Sequence, residues 1–489
     1  MSLLNQQKNQ HLFWRAGFGP AAEQLKDMAI ATPHQLYKAL EKASAKNPSF
    51  INVADNYLQG LYMGVEEAGR QQKRKELTAD ERKTIQKKQR ESIRNLNLSW
   101  MEEMVKSSAQ LREKMAFFWH GHFACRNLNI FYQQQLLDII RRNALGNFRD
   151  MLHEVSKSAA MINFLNNNQN RKDHPNENFA REVMELFTLG RGHYTESDIK
   201  DAARAFTGWG ANVQGEFIFR RFQHDAGSKT VLGITGNLQG DEVLDILLEQ
   251  KQTATFITQK IYRFFVNDIP DENKIEWLAE RFYQSNYEIS KLMEDIFTSE
   301  WFYDQKNIGA IIKSPVVLLA GIQRILPMEV QNEEALLLLQ RLLGQVLFYP
   351  PNVAGWPGGK TWIDSSSLML RMRLPMLIND VDELNIKPKD DDDQMMGRKD
   401  AENSPGIKNK GMGKSGRPIQ AQINWDRYFG YFESIPKEKL QETITVLLLQ
   451  TKTGVNPELV KKYIDSSGRE NFIKSATFQL MSTPEYQMC

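Results

Sequence analysis

The chain has 489 residues, 41% hydrophobic, 10% aromatic and 25% charged, with a mean hydropathy of −0.51, the balance of a globular chain and not of a disordered or membrane-embedded one. Lys plus Arg is 62 against 60 for Asp plus Glu, so the net charge of +2 gives no global electrostatic reason to expect nucleic acid or an anionic membrane. Two cysteines, Cys125 and Cys489, exclude a disulfide scaffold and a cysteine-rich zinc module, and no apolar run approaches the roughly 18 residues of a membrane span.

The start, Met1 to Gln10, is polar and lacks the apolar stretch of a secretory signal, which points to the cytoplasm or to export as the passenger of a signal-bearing partner. Helical periodicity then dominates. It predicts helices near 21–43, 78–107, 109–124, 130–146, 174–189, 196–207, 241–250, 253–266, 272–284, 314–325 and 332–345, then near 423–433, 437–449, 456–463 and 469–481. Strand-like alternation is confined to pieces such as Glu216 to Phe222. The expected fold is mainly α: a large multi-helix globular body with short irregular or β-hairpin-like insertions and a C-terminal helical segment.

Three divisions follow. A body at 1–384 carries a basic helical arm at about 70–95, where ten basic residues face four acidic ones and the aliphatic Leu77, Ile85 and Ile93 stand eight apart; it reads as a solvated hairpin, because no aromatic residues interleave the charges as in a polyanion-binding arm. A tether at 385–418 contains Asp390 to Asp393 and a Lys/Gly-rich stretch with almost nothing to bury. The segment 419–489 offers Leu440, Ile444, Leu447 and Leu448 as an apolar face for docking on the body.

Candidate chemistry lies in polar groups set among apolar ones. In LREKMAFFWHGHFA a 100° step per residue puts His122 on the core stripe of Leu111, Met115 and Phe118, with His120 about 160° away. A helix continuous through Gly121 keeps the two imidazoles apart, whereas a broken backbone there would let them chelate a metal together. Both readings stand beside that of two packed histidines, each with one hydrogen bond.

Glu177 to Leu189 reads as a largely enclosed helix whose polar stripe holds Glu177, Asn178, Arg181, Glu182 and Glu185. The four-residue spacings Glu177 to Arg181 and Arg181 to Glu185 suit intrahelical ion pairs. Three carboxylates beside one Arg could tune a Glu as general acid or base or collect a divalent cation, or form a structural salt-bridge network. After Gly190 the loop presents His193 and Tyr194, and Thr195-x-x-Asp198 is a capping box for the next helix. His224-Asp225 forms a further polar loop that could hold a metal or orient the imidazole. Tyr349 to Trp362 is a rigid Pro/Gly-rich loop in which Trp356 and Trp362 form either a stacking platform for a ligand or packing under the loop. No nucleophile elbow, Walker loop, dinucleotide fingerprint, His-Glu-x-x-His or Cys-x-x-Cys occurs.

These motifs carry a resemblance. HLFWRAGFGP at 11–20, LREKMAFFWHGHFA, ENFAREVMELFTLGRGHYTESDIKDAARAFTGW, the His224-Asp225 loop, IIKSPVV, GQVLFYPPNVAGWPGG and STPEYQ together resemble the bacterial family catalogued as domain of unknown function 1800, over nearly the full chain. The resemblance implies a large helical protein with no activity to transfer, and a partner from domain-of-unknown-function family 1501, whose genes often lie beside those of the 1800 family. Two functions are therefore expected from the residues. One is a metal-dependent or acid/base hydrolase or transferase. Its catalytic candidates are His122, Glu177, Arg181, Glu182, Glu185 and His193, with Asn178, Tyr194, Trp356 and Trp362 toward substrate and His120, His122, His224 and Asp225 toward a divalent metal. The other is a non-catalytic binding or assembly factor in which the same groups are internal struts. Neither nucleic acid nor a membrane span is expected.

Overall fold

The computed structural model describes residues 2–24, 28, 30–56, 58, 78–212, 214–330, 333–378, 421–451 and 462–489. The expected tether at 385–418, positions 70–77 of the basic arm and most of the expected helix at 456–463 lie outside them.

In chain order the helices are α1 (Ser2–Ala16), α2 (Pro33–Ser44), α3 (Ala79–Lys106), α4 (Gln110–His122), α5 (Ile130–Asn143), α6 (Phe148–Lys157), α7 (Ala159–Phe164) and α8 (Asn178–Glu182), the last continuing as a π-helical turn, Val183–Thr188. Then come α9 (Glu196–Ala205), α10 (Gly240–Glu249), α11 (Lys251–Phe265), α12 (Glu272–Gln284), α13 (Ile289–Phe297), α14 (Pro315–Ile325), α15 (Glu333–Leu342), α16 (Ser365–Ile378), α17 (Trp425–Gly430), α18 (Leu440–Leu448) and α19 (Arg469–Met481). Among the described residues strands form only two-stranded ribbons of three residues each: β1 (Trp209–Ala211) with β2 (Phe217–Phe219), β3 (Lys229–Val231) with β4 (Ile234–Gly236), and β5 (Met328–Val330) with β6 (Ala421–Ile423), all antiparallel. The fold is mainly α, and none of its described helices is long and apolar enough to cross a membrane.

Short polar residues start these helices. Thr32, Thr78 and Thr195 close capping boxes with Gln35, Glu81 and Asp198, and Ser314 caps α14 ahead of Pro315. Five helices, α1, α6, α7, α13 and α16, go beyond the periodicity. In α1 the cause is plain: polar Asn9 and Gln10 are buried, and their amides donate to Met28 and Ala31 and to Leu447. Tertiary hydrogen bonds there replace the apolar stripe that a sequence pattern detects.

Two helices anchor the core. α1 packs on α2, α4 and α18, and α4 buries nearly its whole circumference, including Glu113. Glu113 is paired by a bidentate Arg141 from α5 (2.8–3.2 Å) and takes the Trp100 indole N–H at 3.0 Å, so the buried charge is fully bonded. The last residues lie along 311–313, where Ile311 and Cys489 exchange backbone hydrogen bonds (3.0 and 2.7 Å) and Lys313 N–H donates to Gln487.

Candidate functional site

α4 runs unbroken through Gly121, so its two histidines face different neighbours. A shared metal would need the broken backbone that this helix does not have. His120 sits in an aromatic box of Trp100, Phe348 and Trp356, with ring centroids 5.0–5.6 Å away, and its Nε2 accepts the Phe348 N–H at 3.2 Å. Burial pushes its pKa down to about 3, so it is neutral. The Trp356 loop can close on the end of α4 because Gly355, at φ +80°, has no Cβ; one placed there would stand 2.4 Å from the Gly121 carbonyl oxygen. Trp356 thus packs against His120, and Trp362 is buried.

His122 turns to the helix of Glu177 to Leu189, which forms with an unexpected turn. After Glu182 it widens: Leu189 N–H donates to Met184, five residues back, and Thr188 Oγ1 donates to Val183. The carbonyls at its end are capped from outside. His122 Nε2 lies 3.2 Å from Phe187 O, Lys260 Nζ donates to Leu186 O at 3.0 Å, and the Gln252 amide donates to Leu189 O at 3.0 Å. Gln252, Phe256 and Lys260 recur every four residues on α11 and present one face to this turn, with Gly190 admitting the Phe256 ring. Lys260 also donates to His122 Nδ1 at 3.2 Å, which leaves the proton on Nε2 to donate to Phe187. Burial, and then the Lys260 charge, hold the His122 pKa well below that of free histidine; burial brings the Lys260 ammonium down to about 8.

The carboxylates pair differently from the expected four-residue ladder. Arg181 binds Glu177 (3.2 Å) and Glu196 (2.7 and 2.9 Å), while Glu185 binds Arg191 (2.7 Å) and accepts the Tyr194 hydroxyl at 2.5 Å. The expected Arg181–Glu185 pair does not form, because the wide turn rotates Glu185 toward the following loop. The Tyr194 hydrogen bond is the main reason the Glu185 carboxyl stays below its usual range. Glu182 is the exception: burial, then Glu185, raises its pKa, and it makes no hydrogen bond or ion pair among the described residues. Asn178 holds Leu165 O at 3.1 Å, and His193 is exposed.

The second polar loop also divides. His224 Nδ1 faces Thr207 O at 3.0 Å, whereas Asp225 pairs with Arg204 at 2.7 Å, which depresses its pKa. Adjacent in sequence, they serve different partners. Among the described residues no three His, Cys, Asp or Glu side chains are grouped to hold a metal ion. The Glu177 to Arg181 stretch does border an open concavity of about 640 Å³, lined by Gln169, His174, Pro175, Asn176, Glu177, Asn178 and Arg181. A larger cleft of about 1780 Å³, between α2, α3 and residues 422–431, contains none of the predicted site residues.

Sequence reasoning overlooked three features: Lys260; His153, whose ring nitrogens lie 3.0 and 2.9 Å from Asp241 and Asp245 across α6 and α10; and Phe222, 93% exposed. For Lys260 the four-residue recurrence on α11 was an available signal; for Phe222 it was an aromatic residue in the basic run Arg220-Arg221. Nothing local marks His153.

Fold and site together define a mainly helical protein whose motif residues knit α4, α8 and α11 together beside an open polar concavity. The chain belongs to the family described as Protein of unknown function (DUF1800), whose model matches residues 11–488. No curated protein and no solved structure matches it.

Proposed function

We propose that this chain is a binding or assembly protein rather than a hydrolase or transferase, and that its partner docks over the concavity at 169–181 and the neighbouring turn at 221–223. One observation carries the reading: apart from Glu182 and the exposed His193, the charged and imidazole side chains expected to do chemistry are individually spent. Glu177 and Glu196 neutralise Arg181, Arg191 and Tyr194 hold Glu185, Arg204 holds Asp225, and His120 and His122 bond backbone at Phe348 and Phe187. Catalytic groups need a common position from which a reacting atom can be reached, and private pairing favours struts over catalysts.

The face beside the concavity has unspent groups. Lys172 N–H donates to Gln223 O at 2.8 Å and joins the loop at 171–177 to the turn Arg221–Gln223. There Phe222 projects into solvent, and the exposed Arg171, Lys172 and Arg221 make no ion pair among the described residues. An exposed aromatic beside arginines is the composition of an interface anchor, and the free cations call for an acidic counterpart. The partner expected from the resemblance is a protein of domain-of-unknown-function family 1501.

Co-purification with a family 1501 protein encoded beside this chain tests the reading. Phe222→Ala combined with Arg221→Glu is expected to weaken the complex at least tenfold, while His193→Ala leaves it intact. No complex, or one indifferent to the double substitution, removes the proposal. The acid/base reading retains one observation, the raised and unpaired Glu182 carboxyl; it would require a hydrolytic or transfer activity whose pH profile changes in Glu182→Gln.

A further inference from the structure

Three of the sequence motifs meet in a place with no counterpart in the function proposed above. HLFWRAGFGP contributes Trp14 and Arg15, IIKSPVV contributes Lys313, and STPEYQ contributes Tyr486 and Gln487; Arg371 joins them from α16. Arg15, Lys313 and Arg371 are at most 1% exposed. The Lys313 ammonium lies 3.6 Å from the Trp14 ring centroid and 3.9 Å from that of Tyr486, and it donates to Tyr486 O at 2.5 Å. Arg371 Nη1 donates to Lys313 O at 3.0 Å, tying the guanidinium to the same knot.

The charges do not balance. Lys114, also buried, adds a fourth cation near Lys313, while Arg15 Nη2 donates to the carbonyls of Asn307 and Cys489 at 2.8 and 2.7 Å. Burial lowers Lys313 to about 7, with Arg371 and Lys114 adding to the effect, and lowers Arg371 to about 10. The hydrogen bonds do not balance either. Arg371 Nε and Nη2, Arg15 Nε and the Trp14 indole N–H are buried without an acceptor, and the Tyr486 hydroxyl and both polar atoms of the Gln487 amide are buried without a partner. Buried donors of this kind are normally satisfied. Here the surplus is mostly of N–H groups on or beside cations, which selects an anion over a metal. Because every contributing side chain is enclosed, the anion must be small.

We infer that this knot of Trp14, Lys313, Arg371 and Tyr486 encloses one small monovalent anion of chloride size, which joins the first helix and the last residues of the chain to α14 and α16. Diffraction from crystals of the full chain grown in sodium bromide tests it directly: an anomalous bromine peak within hydrogen-bond distance of Arg371 or Trp14 is expected. A knot filled by water, or closed on itself with no anomalous signal, overturns the assignment. In solution, replacing chloride by gluconate at constant ionic strength should lower the thermal midpoint, and returning chloride should restore it along a saturating curve. Arg371→Met should flatten that curve. A midpoint that instead rises with chloride without saturation, equally in both proteins, would be a general salt effect and would count against the site.

Discussion

Lys260 donates to His122 Nδ1 across 3.2 Å, so an ammonium and an imidazole separated by 138 residues jointly close the carbonyl end of the π-helical turn. A cation at a helix C-terminus is favoured by the aligned peptide dipoles, and here it also fills an acceptor that would otherwise be buried. Lys260→Met keeps the length of the stem and removes the donor. It leaves Leu186 O and His122 Nδ1 without their partner, at a cost of about 1–3 kcal/mol, measurable by urea unfolding. Removing the nearby charge should also raise the His122 pKa, read from its ring resonances. Unchanged stability and an unmoved ring would mean that the pair is incidental.

Acid should weaken the fold through the α4 histidines. The pKa of His120 is lowered to about 3 and that of His122 is lowered well below its free value, both chiefly by burial. Below pH 6.5 the unfolded chain binds protons at these two positions and the native chain does not, so stability falls as pH decreases through that range. Between pH 6.5 and 5 each imidazole accounts for up to about 2 kcal/mol, since one unit is worth about 1.4 kcal/mol. His120→Gln retains an acceptor for the Phe348 N–H without titrating. Its unfolding free energy should decline less steeply than that of the parent over this interval, and parallel curves would contradict the assignment.

What the sequence discloses and what it conceals divides along the range of the interactions. The capping box of Thr195 and Asp198 and the divergence of His120 from His122 are set within one or two turns of chain, and both are legible. The π-helical turn is not, because Val183 to Thr188 has the same apolar spacing in either helix type; its consequence, Glu185 bonding Tyr194 rather than Arg181, was hidden with it. His224 and Asp225 mislead in the other direction, since adjacency suggests cooperation while the backbone turns them toward Thr207 and Arg204. The recurrence of Gln252, Phe256 and Lys260 marks one face of α11, but which carbonyls that face caps depends on packing between helices distant in the chain, for which a single sequence has no local sign.

The Glu113–Arg141 pair gives a stability test away from the site. Both side chains are at most 2% exposed, and Glu113 also accepts the Trp100 indole N–H. Glu113→Ala leaves the buried guanidinium with Ser49 O and the half-exposed carboxylate of Glu103, which compensates only part of its charge, at a cost toward the lower end of about 3–5 kcal/mol. Replacing both partners, as Glu113→Met with Arg141→Met, removes the under-compensated charge and should recover most of that loss. A double variant no more stable than Glu113→Ala would show that the pair itself, rather than relief of the half-compensated cation, supplies the stability.

Two helical glycines should respond with opposite signs. Within a helix, Gly to Ala gains up to about 1 kcal/mol of propensity, less in the last turn where Gly121 lies, so the space for a methyl decides the sign. A Cβ at Gly121 meets nothing within 4 Å, and Gly121→Ala should raise the urea midpoint. At Gly321 in α14 the same atom would lie 2.4 Å from the Trp14 ring, which is also packed so closely on Gly19 that a Cβ there would stand at 2.8 Å, and which has the Lys313 ammonium 3.6 Å from its centroid. The ring cannot retreat without disturbing its neighbours, and overpacking of this kind costs about 1–3 kcal/mol. Gly321→Ala should therefore be destabilised despite the gain in propensity. Equal stabilisation of both variants would mean that the Trp14 slot is looser than these distances require.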